Sequence, residues 1–256
     1  MLDKHLNPGQ FEALKPIGEI NIPALGGLGN FSTLHVDTIA SSWLCMGIIL
    51  LGAAALRPSL KNDGPGGAGQ AIGEGLYNFI DDLCRNQIGH DYKKFLPLIA
   101  AIFIFVLMGN LFGIFPWGAF VHIPGWPHLP NGHEHFEVAS PTTDINVTLG
   151  LAVIAVITYV YAGFQKHGMH YGQMYFTPLG IIEWMDLIIR PATLTLRLLL
   201  VITADELTRM VALLLLPWIV APVAVMGFEI FIALLQAFVF SLLTSIYIGL
   251  AVADHH

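Results

Sequence analysis

The sequence predicts an all-α integral membrane protein with five transmembrane helices and one amphipathic surface helix. Three observations lead there. Of 256 residues, 55% are hydrophobic, only 11% are charged, and the mean hydropathy is +0.68. An average soluble domain carries about 25% charged residues, so too little polar material is present to coat a globule. The apolar residues also run in long blocks, several of them matching the roughly 20 residues that cross a bilayer.

Residues 1–36 read as a polar, extended N-terminal segment. Pro8, Pro16 and Pro23 punctuate it, and it lacks the apolar core of a cleavable secretory signal. Residues 37–256 read as one transmembrane domain. Its first span covers residues 39–56 and closes at Arg57-Pro58. KNDGPGGAGQ (61–70) is a flexible linker by composition, and with no preceding strand it does not fit a phosphate loop. Over 71–88, Ile72, Leu76, Phe79, Ile80, Leu83 and Ile88 recur at helical spacing among Glu74, Asn78, Asp81, Asp82 and Arg85. That pattern gives an amphipathic helix too polar to span, suited to the membrane surface or to a partner helix. Further spans cover 95–115, 146–163, 179–216 and 226–253, with Pro217 and Pro222 breaking the chain between the last two.

The net charge of −7 excludes a nucleic-acid partner, which would require basic stripes. Cys45 and Cys84 have no metal-ligand or C-x-x-C spacing and read as core or membrane-facing residues. Basic residues set the orientation. Arg57, Lys61, Arg85, Lys93 and Lys94 cluster between the first two spans and Lys166 follows the third, while the loop 117–145 has no Lys or Arg. The N-terminus is therefore expected outside and the C-terminus in the cytoplasm, in an energy-coupling membrane such as a bacterial plasma membrane.

Ionisable groups inside a span are costly and usually functional. The segment 179–216 carries Glu183, Asp186, Arg190, Arg197, Asp205, Glu206 and Arg209. Arg190 and Arg209 lie near enough to the ends to snorkel, whereas Arg197 falls near the bilayer centre. Glu183, Arg190 and Arg197 are spaced by seven and so share a helix face, as do Glu229 and Gln236 on the last span. The two segments form an antiparallel hairpin in which Arg197 and Gln236 reach similar depth, so a facing pair is expected. An ion pair between Arg197 and a carboxylate elsewhere in the fold is the competing structural reading.

These residues resemble the a subunit of F-type ATP synthases, in the bacterial and plastid branch. That family carries K/R-P-x-S/T-L-x-x-R-L-F-G-N-x-x-A-x-E-L, and residues 190–207 read RPATLTLRLLLVITADEL. The family's arginine falls on Arg197, its following glutamate on Glu206 and its preceding acid on Glu183. The final helix is similar through LQAFVF, with the glutamine at Gln236 and the family's His-or-Glu position at Glu229. PTTDIN (141–146), GNLFGIFP (109–116) and HVD (35–37) resemble span boundaries further upstream. The chain departs from the family after Arg197, where Leu199, Leu200 and Val201 replace F-G-N.

The resemblance implies a long tilted C-terminal hairpin facing the rotor c-ring and two offset half-channels for protons, separated by Arg197. Asp37, Asn110, Asp144, Glu206 and Glu229 would line the outer half-channel. Glu183, with Asp186 and Arg190, would line the cytoplasmic one. Asp37 and Asp144 fit equally as helix-start caps. Expected partners are the c-ring, the peripheral-stalk b subunits and membrane lipid, with no cofactor and no substrate other than the ion. His122, His128, His133 and His135 lie in a proline-rich loop without cysteine, and no metal site is assigned to them. HEHF (133–136) is not the H-E-x-x-H of a metalloprotease.

Two other classes compete. A secondary transporter would use Arg197 to bind an anionic substrate, but the internal repeats common in that class are not visible. A purely structural subunit would not need Arg197, Glu206 and Glu229 at depth.

Overall fold

A computed structural model describes residues 19–21, 33–60, 67–115, 140–168, 180–215 and 220–253. Two three-residue strands, β1 (Glu19–Asn21) and β2 (Thr33–His35), pair antiparallel, with Ile20 opposite Leu34. Among the described residues that follow, the regular elements are helices, the long ones being α1 (Val36–Leu56), α2 (Ala68–Ile88), α3 (Leu96–Ile114), α4 (Ile145–His167), α5 (Gly180–Leu215) and α6 (Val220–Val252). Five of the six are long and apolar enough to cross a membrane, and α2 is the exception. The protein is an all-α integral membrane protein.

Helix ends follow local chemistry. Asp144 caps α4, its Oδ1 accepting from the Asn146 backbone N–H at 2.8 Å. Gly89 and Gly168 close α2 and α4 at φ +79° and +58°, a region that favours glycine. Pro222 was expected to precede the last span but lies in the first turn of α6. There its missing N–H removes no helical hydrogen bond. Pro191 lies inside α5, and the helix continues through it.

The core forms where α6 packs against α3, α4, α5 and α2. Ile99, Ile102, Phe103 and Val106 of α3 meet Ala237, Phe240 and Ile248 of α6, with Ala152, Ala155 and Tyr159 of α4 beside them. The small α4 residues let the helix axes approach, which is how helices associate in lipid without a hydrophobic drive. The polar helix α2 does not float free. Ile80, Leu83, Cys84 and Ile88 are buried against the bundle, and Phe79 bridges Phe103 and Phe238 at ring distances of 5.9 and 5.7 Å. Cys45 and Cys84 are buried free thiols. At the periphery, α1 keeps Trp43, Leu50 and Leu51 about 70% exposed, the pattern of a lipid-facing helix.

One approach is closer than any side chain permits. A Cβ at Gly249 of α6 would collide with the carbonyl of Gln87, at the C-terminal end of α2. Replacing Gly249 by Val is expected to lever α2 off α6 and destabilise the protein by about 1–3 kcal/mol, the usual cost of overpacking. The melting temperature of the purified protein in detergent checks this.

Candidate functional site: a polar track beside an exposed arginine

At the end of the bundle where α5 and α6 join, polar groups from five segments converge. GNLFG on α3 supplies two glycines four apart, and the turn Ser140–Thr143 lies directly on them. A Cβ at Gly113 would meet the Ser140 Cβ at 2.7 Å, and one at Gly109 the Thr142 Cγ2 at 3.1 Å. Because the turn sits so close, its hydroxyls reach across. Ser140 Oγ donates to the Gly109 carbonyl (2.8 Å), and Thr142 Oγ1 donates to Asn110 Oδ1 (2.8 Å). The Ser140 and Thr142 hydroxyls also lie 2.7 Å apart, so a bond between them forms only when one hydroxyl turns its single proton away from its other acceptor. Thr38 of α1 donates to Asp144 Oδ2 at 2.7 Å, so the α4 cap is bound from both sides. Asn110, Ser140, Thr142, Asp144 and Thr38 are all buried.

This network borders a cavity of about 20 Å³, enough for one water molecule, which needs about 10–15 Å³. Its polar lining is Asn110 and Ser140 on one side, Asp205 of α5 and Gln236 of α6 on the other. Glu229, 1% exposed, shares the Gln236 face two turns nearer the hairpin. Most hydroxyls on the spans need no such company. Thr193, Thr203, Thr208, Thr244 and Ser245 bond back to carbonyls of their own helix. By contrast, Thr195 Oγ1, Gln236 Nε2 and Ser241 Oγ are buried with no hydrogen-bond partner among the described residues. Buried polar atoms without protein partners at mid-helix are sites for water.

Arg197 stands apart from this track. It lies near the midpoint of α5, is exposed, and makes no hydrogen bond or ion pair with any described residue. The α5 stripe that packs inward is Leu194, Leu198 and Ile202. Arg197 precedes Leu198 by one residue, about 100° of helix rotation, which carries it onto the outer face. Gln236 is only 6% exposed and points into the bundle. The two side chains expected to face each other therefore differ in surroundings: Arg197 is exposed, whereas Gln236 is buried in a lining that includes Val201, Ile202 and Asp205 of α5. Leu196 and Leu200 flank Arg197 at 50% and 62% exposure, so an apolar surface surrounds one cation. Of the residues standing where the family has Gly-Asn, Leu200 joins that surface and Val201 lines the cavity.

At the opposite end Arg190 is held firmly. Its Nη2 donates to Asp186 Oδ2 at 2.6 Å, and its guanidinium lies 5.2 Å from the Tyr159 ring and 5.0 Å from the Tyr247 ring. The side chain ties α5 to α4 and α6 rather than snorkelling.

The side chains of Asp37, Glu183 and Glu206 and the loop histidines His122, His128, His133 and His135 lie outside the described residues. Of the remaining expected site residues, Asn110 and Gln236 line one cavity, Asp144 belongs to the adjoining network, and Glu229 lies on the same α6 face. Sequence reading missed Thr38, Ser140 and Thr142 and passed over Asp205. The signal for Asp205 was available, because it follows Ile202 by three on the inward stripe.

Comparison with known proteins settles the family. Residues 39–249 match the ATP synthase A chain family. The chain belongs to that family. It is 38% identical over 226 residues to an ATP synthase subunit a of Gloeobacter violaceus, covering 87% of this chain and 86% of the relative. It is also 38% identical over 235 residues to a chloroplastic ATP synthase subunit a of Stigeoclonium helveticum, covering 87% of each. As a member of the ATP synthase A chain family it is a non-catalytic subunit of the membrane sector.

Replacing Thr38 by Val removes the hydroxyl donor from Asp144 at nearly constant volume. The expected loss is about 1–2 kcal/mol, read as a lower melting temperature of the purified complex.

Proposed function

We propose that the chain is the ion-translocating stator subunit of an F-type ATP synthase, with Arg197 separating two offset proton half-channels. The observation that carries this reading is the exposure of Arg197 at mid-helix, without an intramolecular partner among the described residues. A charge in that setting calls for a counter-charge from another chain, and a carboxylate on a rotating c-ring supplies it.

The chemistry follows from the guanidinium. A guanidinium is not deprotonated in proteins, so the charge persists through every cycle. Two unit charges at 4 Å attract by about 4 kcal/mol at an effective dielectric of 20. A ring carboxylic acid approaching Arg197 therefore gives up its proton to the adjoining aqueous path and passes as the carboxylate. Beyond the arginine it reloads from the other path. The same fixed positive charge repels a proton crossing directly between the paths. Lysine would serve poorly, since its pKa falls readily on burial.

The track through Asp144, Asn110, Ser140, Asp205, Gln236 and Glu229 supports an access path from the outer side, and Asp37 and Glu206 belong to it by position. Glu183, Asp186 and Arg190 occupy the cytoplasmic end, with Arg190 fixing the helix that carries Arg197. The N-terminus then lies outside and the C-terminus in the cytoplasm of a bacterial-type energy-coupling membrane. The peripheral-stalk b subunits hold the chain still while the ring turns.

Replacing Arg197 by Ala removes the roughly 4 kcal/mol of attraction, a rate loss on the order of a thousandfold. Gradient-driven ATP synthesis in vesicles should collapse while the assembled complex is still recovered. Normal coupled synthesis in that variant would sink the proposal.

A further inference from the structure

A second cavity, at the opposite end of the bundle, shares no lining residue with the polar track. It measures about 60 Å³, several times the ~10–15 Å³ that one water occupies. Three helix ends frame it: the start of α3, the end of α4 and the last residue of α6. Its polar lining is Asp91, Lys94, Gln165 and Lys166, all exposed or half-buried, and its apolar lining is Phe95 and Ala162, both buried, with Val252 half-buried. Polar groups nearer the surface and apolar groups further in match an amphiphile rather than a free ion.

Among the described residues the lining carries two lysines against one aspartate. Lys94 Nζ lies 3.1 Å from Asp91 Oδ1, with both side chains about half exposed. The Asp91 carboxyl is held below the usual carboxylate range first by Lys94, with Lys166 and His90 adding to the pull. Lys94 thus contacts the carboxylate directly, Lys166 lines the same cavity, and Lys93 is exposed beside them. The level is that of a membrane boundary, because three spans begin or end there. Tyr161 and Phe164 of α4 are 61% and 44% exposed near the same height, as in the aromatic belts of membrane proteins. Basic pockets between transmembrane helices at this level suit acidic headgroups, and lysine stems can lie along apolar surface while their ammonium groups reach outward.

The geometry points to a binding site for the phosphodiester headgroup of an anionic phospholipid, between Lys94 and Lys166, with the head of an acyl chain against Phe95, Ala162 and Val252. Such a lipid would fill the gap between α3, α4 and α6. This site is independent of the role given to Arg197.

The test uses the intact complex in bilayers containing a phosphatidylglycerol that carries a photoreactive group near its glycerol backbone. Labelled peptides should fall within residues 89–98 and 161–168. Excess phosphatidylglycerol should suppress the labelling, whereas phosphatidylcholine or inorganic phosphate should not. Each of Lys94→Gln and Lys166→Gln should weaken labelling by about fivefold, the contribution of one lysine near a membrane surface. Lys94→Arg and Lys166→Arg should retain it, and these two variants with the competition in the wild-type complex decide the matter if a glutamine variant assembles poorly. Labelling unchanged by the glutamine substitutions, or suppressed equally by phosphatidylcholine, would overturn the site. Suppression by inorganic phosphate would overturn its assignment to a lipid.

Discussion

A single guanidinium at the middle of a helix apolar enough to span, exposed and with no counter-charge among the described residues, is the constraint on which the rest depends. Placing arginine at the centre of a spanning helix costs about 2.5–3.5 kcal/mol on insertion scales. That is smaller than the roughly 4 kcal/mol available from one carboxylate at 4 Å in a medium of effective dielectric 20. The charge is thus tolerable in the isolated chain and strongly rewarded only when a partner chain presents an acid. Stability of the subunit alone gives no reason for it.

The fold serves that placement. Leu194, Leu198 and Ile202 fix the inward side of α5, which turns Arg197 outward. Arg190, clamped by Asp186 and two tyrosine rings, fixes the same helix two turns away. With α6 at the centre of the bundle, touching α2, α3, α4 and α5, the hairpin is braced from behind and open in front. The polar track runs behind Arg197 rather than through it. Asp205, Asn110, Ser140 and Gln236 meet on the inner side of the hairpin while the guanidinium points to the outer side. A polar track inside the subunit and a charge on its surface suit the proposed stator role, in which the ion is handed to a second, moving chain.

Much of this was legible in the sequence, for identifiable reasons. Apolar runs of about 20 residues have few alternatives to a transmembrane helix, so the five spans followed directly. Their ends were less clear, because Pro222 looks like a stop and yet fits a first helical turn. The rare charges within spans stood out, and depth along the helix could be counted. Azimuth was harder. Spacing by seven puts Glu229 and Gln236 together as buried residues of α6. It does not say which face meets the neighbour or where a long side chain turns, so Arg190 reaches inward to Tyr159 and Tyr247 while Arg197 is exposed. The hydroxyl network was hidden altogether. Ser and Thr in spans mostly bond their own backbone, and only the close approach of the Ser140 turn to Gly109 and Gly113 distinguishes Ser140 and Thr142 from the rest. The pairing of β1 with β2 was likewise invisible in two three-residue stretches.

The central claim is that the face of α5 carrying Arg197 meets the ring carboxylate. Leu200, one turn from Arg197 and 62% exposed, offers the most direct measurement. Cysteine is introduced at Leu200 and, in the ring subunit of the intact complex, beside its ion-binding carboxylate, and disulfide formation is then induced in the membrane. The account predicts a cross-linked product of these two subunits that blocks ATP-driven proton pumping and is released by reductant. Absence of that product in a complex that assembles and pumps normally, under conditions where a control pair elsewhere cross-links, would contradict it.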